Sequence, residues 1–348
     1  MPDFHSLGGY GGGRRRAVLS RPQRLLHTLL GVALLTGCGL LAAPAAAQES
    51  YPAKPVRLVV SYAPGNVTDL VARIVGQKLA QQWGQPVVVE NRPGQGGSMG
   101  AQLVAKAPAD GYTLLFSAMA ALCINPHLYA DVGYKALTDF SPVVNVAEPS
   151  FVVVVNPALK VGTFGELVAY SKANPSALSY GTAGNGTAPH LNMEALKRQT
   201  GLLALHVPYK SAAAVTTDVI GGVIQIQQES LSVLLPHISS GRLVALMDGS
   251  GKRLPQLPDV PSASETVPGF VSVTPWLGLL APAHTPSAIT SKISRDVQAI
   301  LRQPDVLEKF AANGLSVTGE EPEAFKNTLA RDYERLGRLV KSLAIKVD

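Results

Sequence analysis

Short β-branched runs alternate with helical segments along most of this 348-residue chain, and this alternation restricts its fold more than any other feature. Val56-Arg57-Leu58-Val59-Val60 reads as a strand. Asp69 to Trp83 reads as a helix, with apolar spacing at Leu70, Ile74 and Leu79, and Val87-Val88-Val89 as the next strand. Thr113 to Phe116, Phe151 to Val155, Leu178 to Tyr180 and Leu205 to Val207 are further strands, with helices near 163–173, 187–200 and 211–220. Such alternation predicts an α/β fold built on parallel sheets with helices on both faces.

The run from Phe151 to about Arg242 is strand–helix alternation complete in itself. After the Pro-rich stretch Leu254 to Pro268 comes a short apolar segment, Trp276 to Leu280, then helical segments near 286–302, 304–313 and 322–343. This order suggests a second lobe inserted into the first: lobe I as residues 48–148 plus 272–348, lobe II as 149–271. Two chain crossings between lobes would make a hinge.

The N-terminus has its own logic. Arg14, Arg15, Arg16, Arg21 and Arg24 precede the apolar run Leu25 to Ala43 and then Pro44-Ala45-Ala46-Ala47, in the order of a secretion signal over residues 1–47. Leu35-Thr36-Gly37-Cys38 also matches a lipoprotein box, in which Cys38 would be acylated; Arg15-Arg16 is a weak twin-arginine match. Removing the leader takes away five of 30 basic and one of 24 acidic residues and leaves 25 against 23. A nearly neutral, aromatic-poor chain carries no electrostatic footprint for nucleic acid. Only Cys123 would remain, so no internal disulfide is expected in a periplasmic protein.

Three Gly-rich loops follow strands, where open α/β sheets place ligands. They are Tyr62 to Asp69, Arg92 to Gly100, and Thr182 to His190. Gly and Asn tolerate positive φ, so backbone N–H groups can converge at the positive end of the following helix. Loops one and three, on separate lobes, could close on an anion from both sides. The structural alternative is that such turns merely join strands to helices, with Asp69 favoured by the helix dipole and Thr187 as a helix cap.

Gly96-Gly97-Ser98-Met99-Gly100 formally matches a nucleophile elbow, with His190 or His206 and Asp110 or Asp139 as triad partners. The elbow needs its serine directly after a strand, and Arg92 to Gly97 intervene. Nucleotide-phosphate loops, paired cysteines and H-x-x-x-H are absent, so no cofactor or metal is expected.

The spacing Pro64-Gly65-x-x-x-Asp69, then Val87 to Gly94, then Ala107 to Leu115 resembles the Bug receptors, the periplasmic solute-binding subunits of tripartite tricarboxylate transporters. Asn125-Pro126-x-Leu128-Tyr129, Asp139-Phe140-x-Pro142-Val143, His206 to Lys210, Leu257 to Pro261 and Trp276 with Ala281-Pro282 continue the match in order. The resemblance implies a two-lobed periplasmic binding protein, type II-like, that holds a small carboxylate in a hinged cleft through ordered water and backbone amides. It places the ligand contacts at Ala63, Gly65, Asn66 and Asp69, and at Thr182, Ala183, Gly184, Gly186, Thr187 and His190. Ser117 and Ala118 would form the floor, with Tyr209 and Glu229 also in the site.

Three departures bear on the ligand. Asn66 stands where the family usually has a second Gly, and Ser211 where it has Gly. Gln227-Gln228-Glu229 replaces an apolar pair followed by Asp; the longer acid could exclude a second carboxylate or accept an ammonium group. The expected protein is a monomeric, non-catalytic receptor whose partners are a small carboxylate and two membrane subunits. A sensory binding subunit and a serine hydrolase are the competing readings.

Overall fold

The computed structural model describes residues 11–13, 51–249, 251–270 and 272–345. The leader and Cys38 lie outside these residues, apart from Gly11 to Gly13. Tyr51–Asp348 forms one compact unit.

Its strands divide between two sheets. The larger has the order β11-β4-β10-β3-β1-β2, comprising β1 (Val56–Val60), β2 (Val87–Asn91), β3 (Thr113–Ala118), β4 (Phe140–Pro149), β10 (Leu277–Pro282) and β11 (Leu315–Glu320). The smaller has the order β7-β6-β8-β5-β9, from β5 (Phe151–Val155), β6 (Ser179–Thr182), β7 (Leu205–Pro208), β8 (Ile226–Ser230) and β9 (Val244–Asp248).

Neither sheet is wholly parallel, which corrects the expectation from alternation. β1 pairs in parallel with β2 and β3, but β10 runs antiparallel to both β3 and β4, and β11 antiparallel to β4. In the smaller sheet β6 is parallel to β7 and β8, while β5 is antiparallel to β8 and β9. The reversal has a topological cause. β4 runs straight into β5 through Ser150, so one continuous extended segment enters both sheets and cannot share the direction set by the strand–helix–strand units.

Ser150 is pinned from both sides, its N–H donating to Gly314 O and its carbonyl accepting from Leu231 N. The return crossing leaves β9 at Asp248 and rejoins the larger sheet at Leu277. Each sheet is sandwiched by apolar clusters, as expected for helices covering both faces. Helices α10 (Ser287–Leu301) and α11 (Pro304–Ala312) contribute Ile293, Val297 and Phe310 to one face of the larger sheet, and α12 (Pro322–Leu343) contributes Phe325 and Leu329 to the other. The C-terminal helices thus return to the first sheet.

Two helices position the cleft. Helix α1 (Val67–Trp83) begins where Asn66 Oδ1 accepts from Thr68 N at 2.9 Å and ends at Gly84 in the left-handed region. Helix α6 (Ala188–Thr200) begins with Pro189 in its first turn and ends at Gly201. Both start at the carboxyl end of a strand, β1 or β6, on different sheets. Among the described residues no helix is long and apolar enough to cross a membrane.

Candidate ligand-binding cleft

The three Gly-rich loops meet at one cleft of about 340 Å³, walled by residues of both sheets. Ser61, Tyr62, Ala63 and Asn66 come from loop one, Pro93 to Gly97 from loop two, and Ala183 to Asn185 from loop three. Tyr129 and the segment Tyr209 to Ala212 complete the rim. A smaller recess of about 40 Å³ shares Tyr62, Asn66 and Ala183 with the cleft and is lined further by Val67, Thr68, Ala118, Phe151, Thr187, Ala188, Pro189, Glu229 and Leu277.

The two halves touch across this space. Tyr129 Oη donates to Asn185 O at 3.2 Å, joining the segment after β3 to loop three. Asn125 is the hub on the first side: its Nδ2 donates to Gln95 O, Gly96 O and Ser98 Oγ at 2.9–3.0 Å. Tyr62, which walls both cavities, is buried and donates through Oη to Gly96 O at 2.9 Å, tying loop one to loop two.

Eight of the fourteen residues expected at the site line the cleft or recess: Ala63, Asn66, Ala118, Ala183, Gly184, Thr187, Tyr209 and Glu229. The other six stand behind it and shape its walls. Asp69 is buried; its carboxylate accepts from Gly65 N, Arg73 and Asn91, a clasp that closes loop one on itself. Burial raises its pKa, but the Arg73, Gly65 and Asn91 hydrogen bonds and the Arg73 charge outweigh that and hold the carboxyl below its usual range. Gly65 is therefore a partner of Asp69, with its N–H committed. Ser117 backs Ser61, Oγ to Oγ at 2.7 Å.

On the other side, Thr182 Oγ1 meets His206 Nε2 at 2.8 Å and Gly184 O at 3.1 Å, while Gly186 N donates to His190 Nδ1 at 3.2 Å. Thr187 sits at the cap position of α6 without capping it; its Oγ1 donates to Gly184 O at 3.0 Å and so shapes loop three instead. Sequence reasoning did not single out Gln95, Tyr129, Asn185 and Lys210 as site residues. Gln95 and Asn185 lie in the Gly-rich loops, but nothing local shows that they face the cleft, and Tyr129 and Lys210 reach it only through the packing of segments far apart in the chain.

Ser98 does not form the nucleophile elbow. It is fully buried, and its Oγ accepts from Asn125 Nδ2 and Tyr134 Oη, with no histidine among its described partners to take its proton. His206 and His190 instead stack on one another at 4.0 Å, with Tyr180 stacked beyond at 4.8 Å. Among the described residues no cluster of His, Cys, Asp and Glu could hold a metal ion.

Burial lowers the His190 imidazole to about 4, and burial with its charged neighbours lowers His206 to about 3. Burial also pushes the Glu229 carboxyl up to about 7, against the hydrogen bonds from the Ser230 backbone and side chain, which favour its ionised form. These groups act on stability with opposite signs. Below pH 6.5 the unfolded chain takes up imidazole protons that the fold refuses, so stability falls on acidification from about 6.5 to about 4, by about 3 kcal/mol from His190. The folded chain holds the Glu229 proton more tightly than the unfolded one, so that contribution is complete below 4.5 and is lost as pH rises to about 7. Removing it with Glu229→Gln is expected to make the melting temperature fall more steeply between pH 6.5 and 4.5 than in the parent. Parallel profiles would contradict the burial of this carboxyl.

The fold and cleft define a class: two-lobed α/β binding proteins that hold a solute at the carboxyl ends of strands from both lobes. Residues 71–345 match the tripartite tricarboxylate transporter family receptor model, and the chain belongs to that family. It is 35% identical to Protein BugT of Bordetella pertussis over 324 residues, covering 92% of this chain and 98% of that protein. Among solved structures it is similar to the periplasmic binding protein BugD, with TM-score 0.81 and 32% identity over 85% of this chain and 99% of that one. It is also similar to Rpa4515 of R. palustris with adipate, with TM-score 0.82 and 30% identity over 85% and 99% of the two chains.

Proposed function

We propose that this protein is a periplasmic receptor that captures a small carboxylated solute between its lobes and presents it to the membrane subunits of a tripartite transporter. The observation that carries this reading is the meeting of loops one and three, from different sheets, at one cleft. A carboxylate enclosed there must recover in hydrogen bonds the solvation it loses. Backbone amides at strand-to-helix turns supply such bonds without a counter-charge, and bridging water keeps the grip polar and reversible. The adipate in the R. palustris relative supports the ligand class. The Ser98 environment, which lacks a histidine partner, favours a binder over a hydrolase.

In this reading residues 1–47 direct export and are removed, lobe II spans 149–271, and the protein works as a monomer. The lobes turn about the crossing at Ser150 and the return segment between Gly249 and Trp276. Ligand drives closure only through contacts that exist with both lobes engaged, which is why a site shared between two sheets matters.

Thermal-shift screening of the purified protein against mono-, di- and tricarboxylates tests this reading. At a hundredfold excess over Kd a bound acid contributes about 2.7 kcal/mol, a readily measured shift. Asn66→Gly, on the wall the two cavities share, and Thr187→Ala, in the recess, are expected to weaken the hit at least tenfold. No shift with any acid, or full affinity in both variants, would displace the site.

A further inference from the structure

Glu229 carries the single carboxyl group of the recess, whose described lining is otherwise apolar or neutral, with Val67, Ala118, Phe151, Pro189 and Leu277 among it. It is 3% exposed, and its Oε1 accepts from Ser230 N at 2.7 Å. No lysine, arginine or histidine is among the described residues that line the recess, so a second carboxylate there would meet Glu229 with no cation to offset it. The larger cleft has the opposite character: its single charged lining side chain is Lys210, beside Ser211 Oγ, which caps the helix Ala212–Ile220 by accepting from Ala214 N. The two cavities join at Tyr62, Asn66 and Ala183, so one small molecule can span them.

From this polarity we infer that the preferred solute carries one carboxylate for the loops and, at its far end, an ammonium group that enters the recess against Glu229. The inference rests on the receptor reading above and names its ligand class as amino acids and other aminocarboxylates, in place of dianions. An ammonium beside a buried carboxylate offsets the desolvation of both groups, and its remaining N–H bonds can be met by Thr187 Oγ1 or water. A second carboxylate at the same place would either face the ionised Glu229 or require it to stay protonated in an apolar recess, whereas an ammonium favours its ionised form.

Isothermal titration of the purified protein with straight-chain probes of four to six carbons separates the possibilities. The set comprises α- and ω-aminocarboxylates, the matching dicarboxylates, and the matching monocarboxylates with an uncharged end. The expected result is that the best aminocarboxylate binds at least tenfold more tightly than any dicarboxylate. Glu229→Gln should remove that margin, weakening the aminocarboxylates at least tenfold more than the monocarboxylates. Glu229→Asp serves as a second variant that keeps the charge and is expected to retain the preference for aminocarboxylates. Dicarboxylates binding as tightly as aminocarboxylates, or an equal loss for every probe in Glu229→Gln, would overturn this inference and leave the receptor reading standing. No binding by any probe would overturn both.

Discussion

Gly186→Ala is expected to cost carboxylate affinity about a hundredfold. Gly186 has φ +76°, a conformation that costs an L-residue about 1–2 kcal/mol. Its added Cβ would also collide with Asn125 Oδ1 and lie 2.9 Å from Leu128 Cδ2. Asn125 cannot retreat, because its Nδ2 already holds Gln95, Gly96 and Ser98. Loop three must therefore withdraw from the first sheet, and contacts that need both lobes together are lost. Gly65→Ala isolates the backbone term: φ is +80°, but nothing lies within 4 Å of the added carbon. It should cost about 1 kcal/mol of stability and at most a few-fold in affinity. Equal affinity losses in the two variants, measured by titration calorimetry, would remove Gly186 from the closing contact.

Trp276→Ala is expected to destabilise the protein by about 4 kcal/mol, lowering its melting temperature by roughly 10 °C. The indole is 1% exposed and stands edge-on to Phe325 at 4.9 Å, in the cluster that joins the larger sheet to α12. The neighbouring Gly278 leaves room for the same Phe325 ring and brings no side chain of its own to fill the void. The indole N–H finds no acceptor among the described residues. Trp276→Phe removes that unpaired donor along with part of the ring and should cost under half as much. Similar melting temperatures for Trp276→Ala and the parent would show that the site can collapse.

Much of the fold was legible because the strand–helix units announce themselves locally. Phe151–Val155 is a continuous apolar run and Val56–Val60 is one apart from Arg57, and the helices at 188–200 and 322–343 begin and end within a residue or so of the sequence expectation. Two of the strands with antiparallel pairing, β4 and β11, were not legible. β4 carries Pro142, Asn145, Glu148 and Pro149, and it is a strand because β10 and β11 pair with it on either side, helped by Asn145 Nδ2 donating to Glu320. β11 contains Gly319 and is partly exposed, as suits an edge strand with little apolar signal of its own. Without β4 and β11, alternation alone pointed to parallel sheets.

The site divides in the same way. Glycines marked the loops correctly as turns after strands, and the family resemblance selected residues on or directly behind the cleft. What a linear reading cannot show is which member of a loop faces the cavity and which braces it. Asp69 and Asn66, three residues apart, differ in this respect: one is enclosed by Arg73, Asn91 and Gly65, the other walls both cavities. Gln95, Tyr129 and Asn185 belong to the site only because Asn125 and Tyr62 draw distant segments together.

The central claim is that loops one and three grip one carboxylate from two lobes. A crystal structure of the protein with its tightest-binding acid tests it most directly. The account predicts carboxylate oxygens between Ala63–Asn66 and Ala183–Asn185, bonded to amides of both loops directly or through one water. A carboxylate seated on one lobe alone, or outside the cleft, would contradict it.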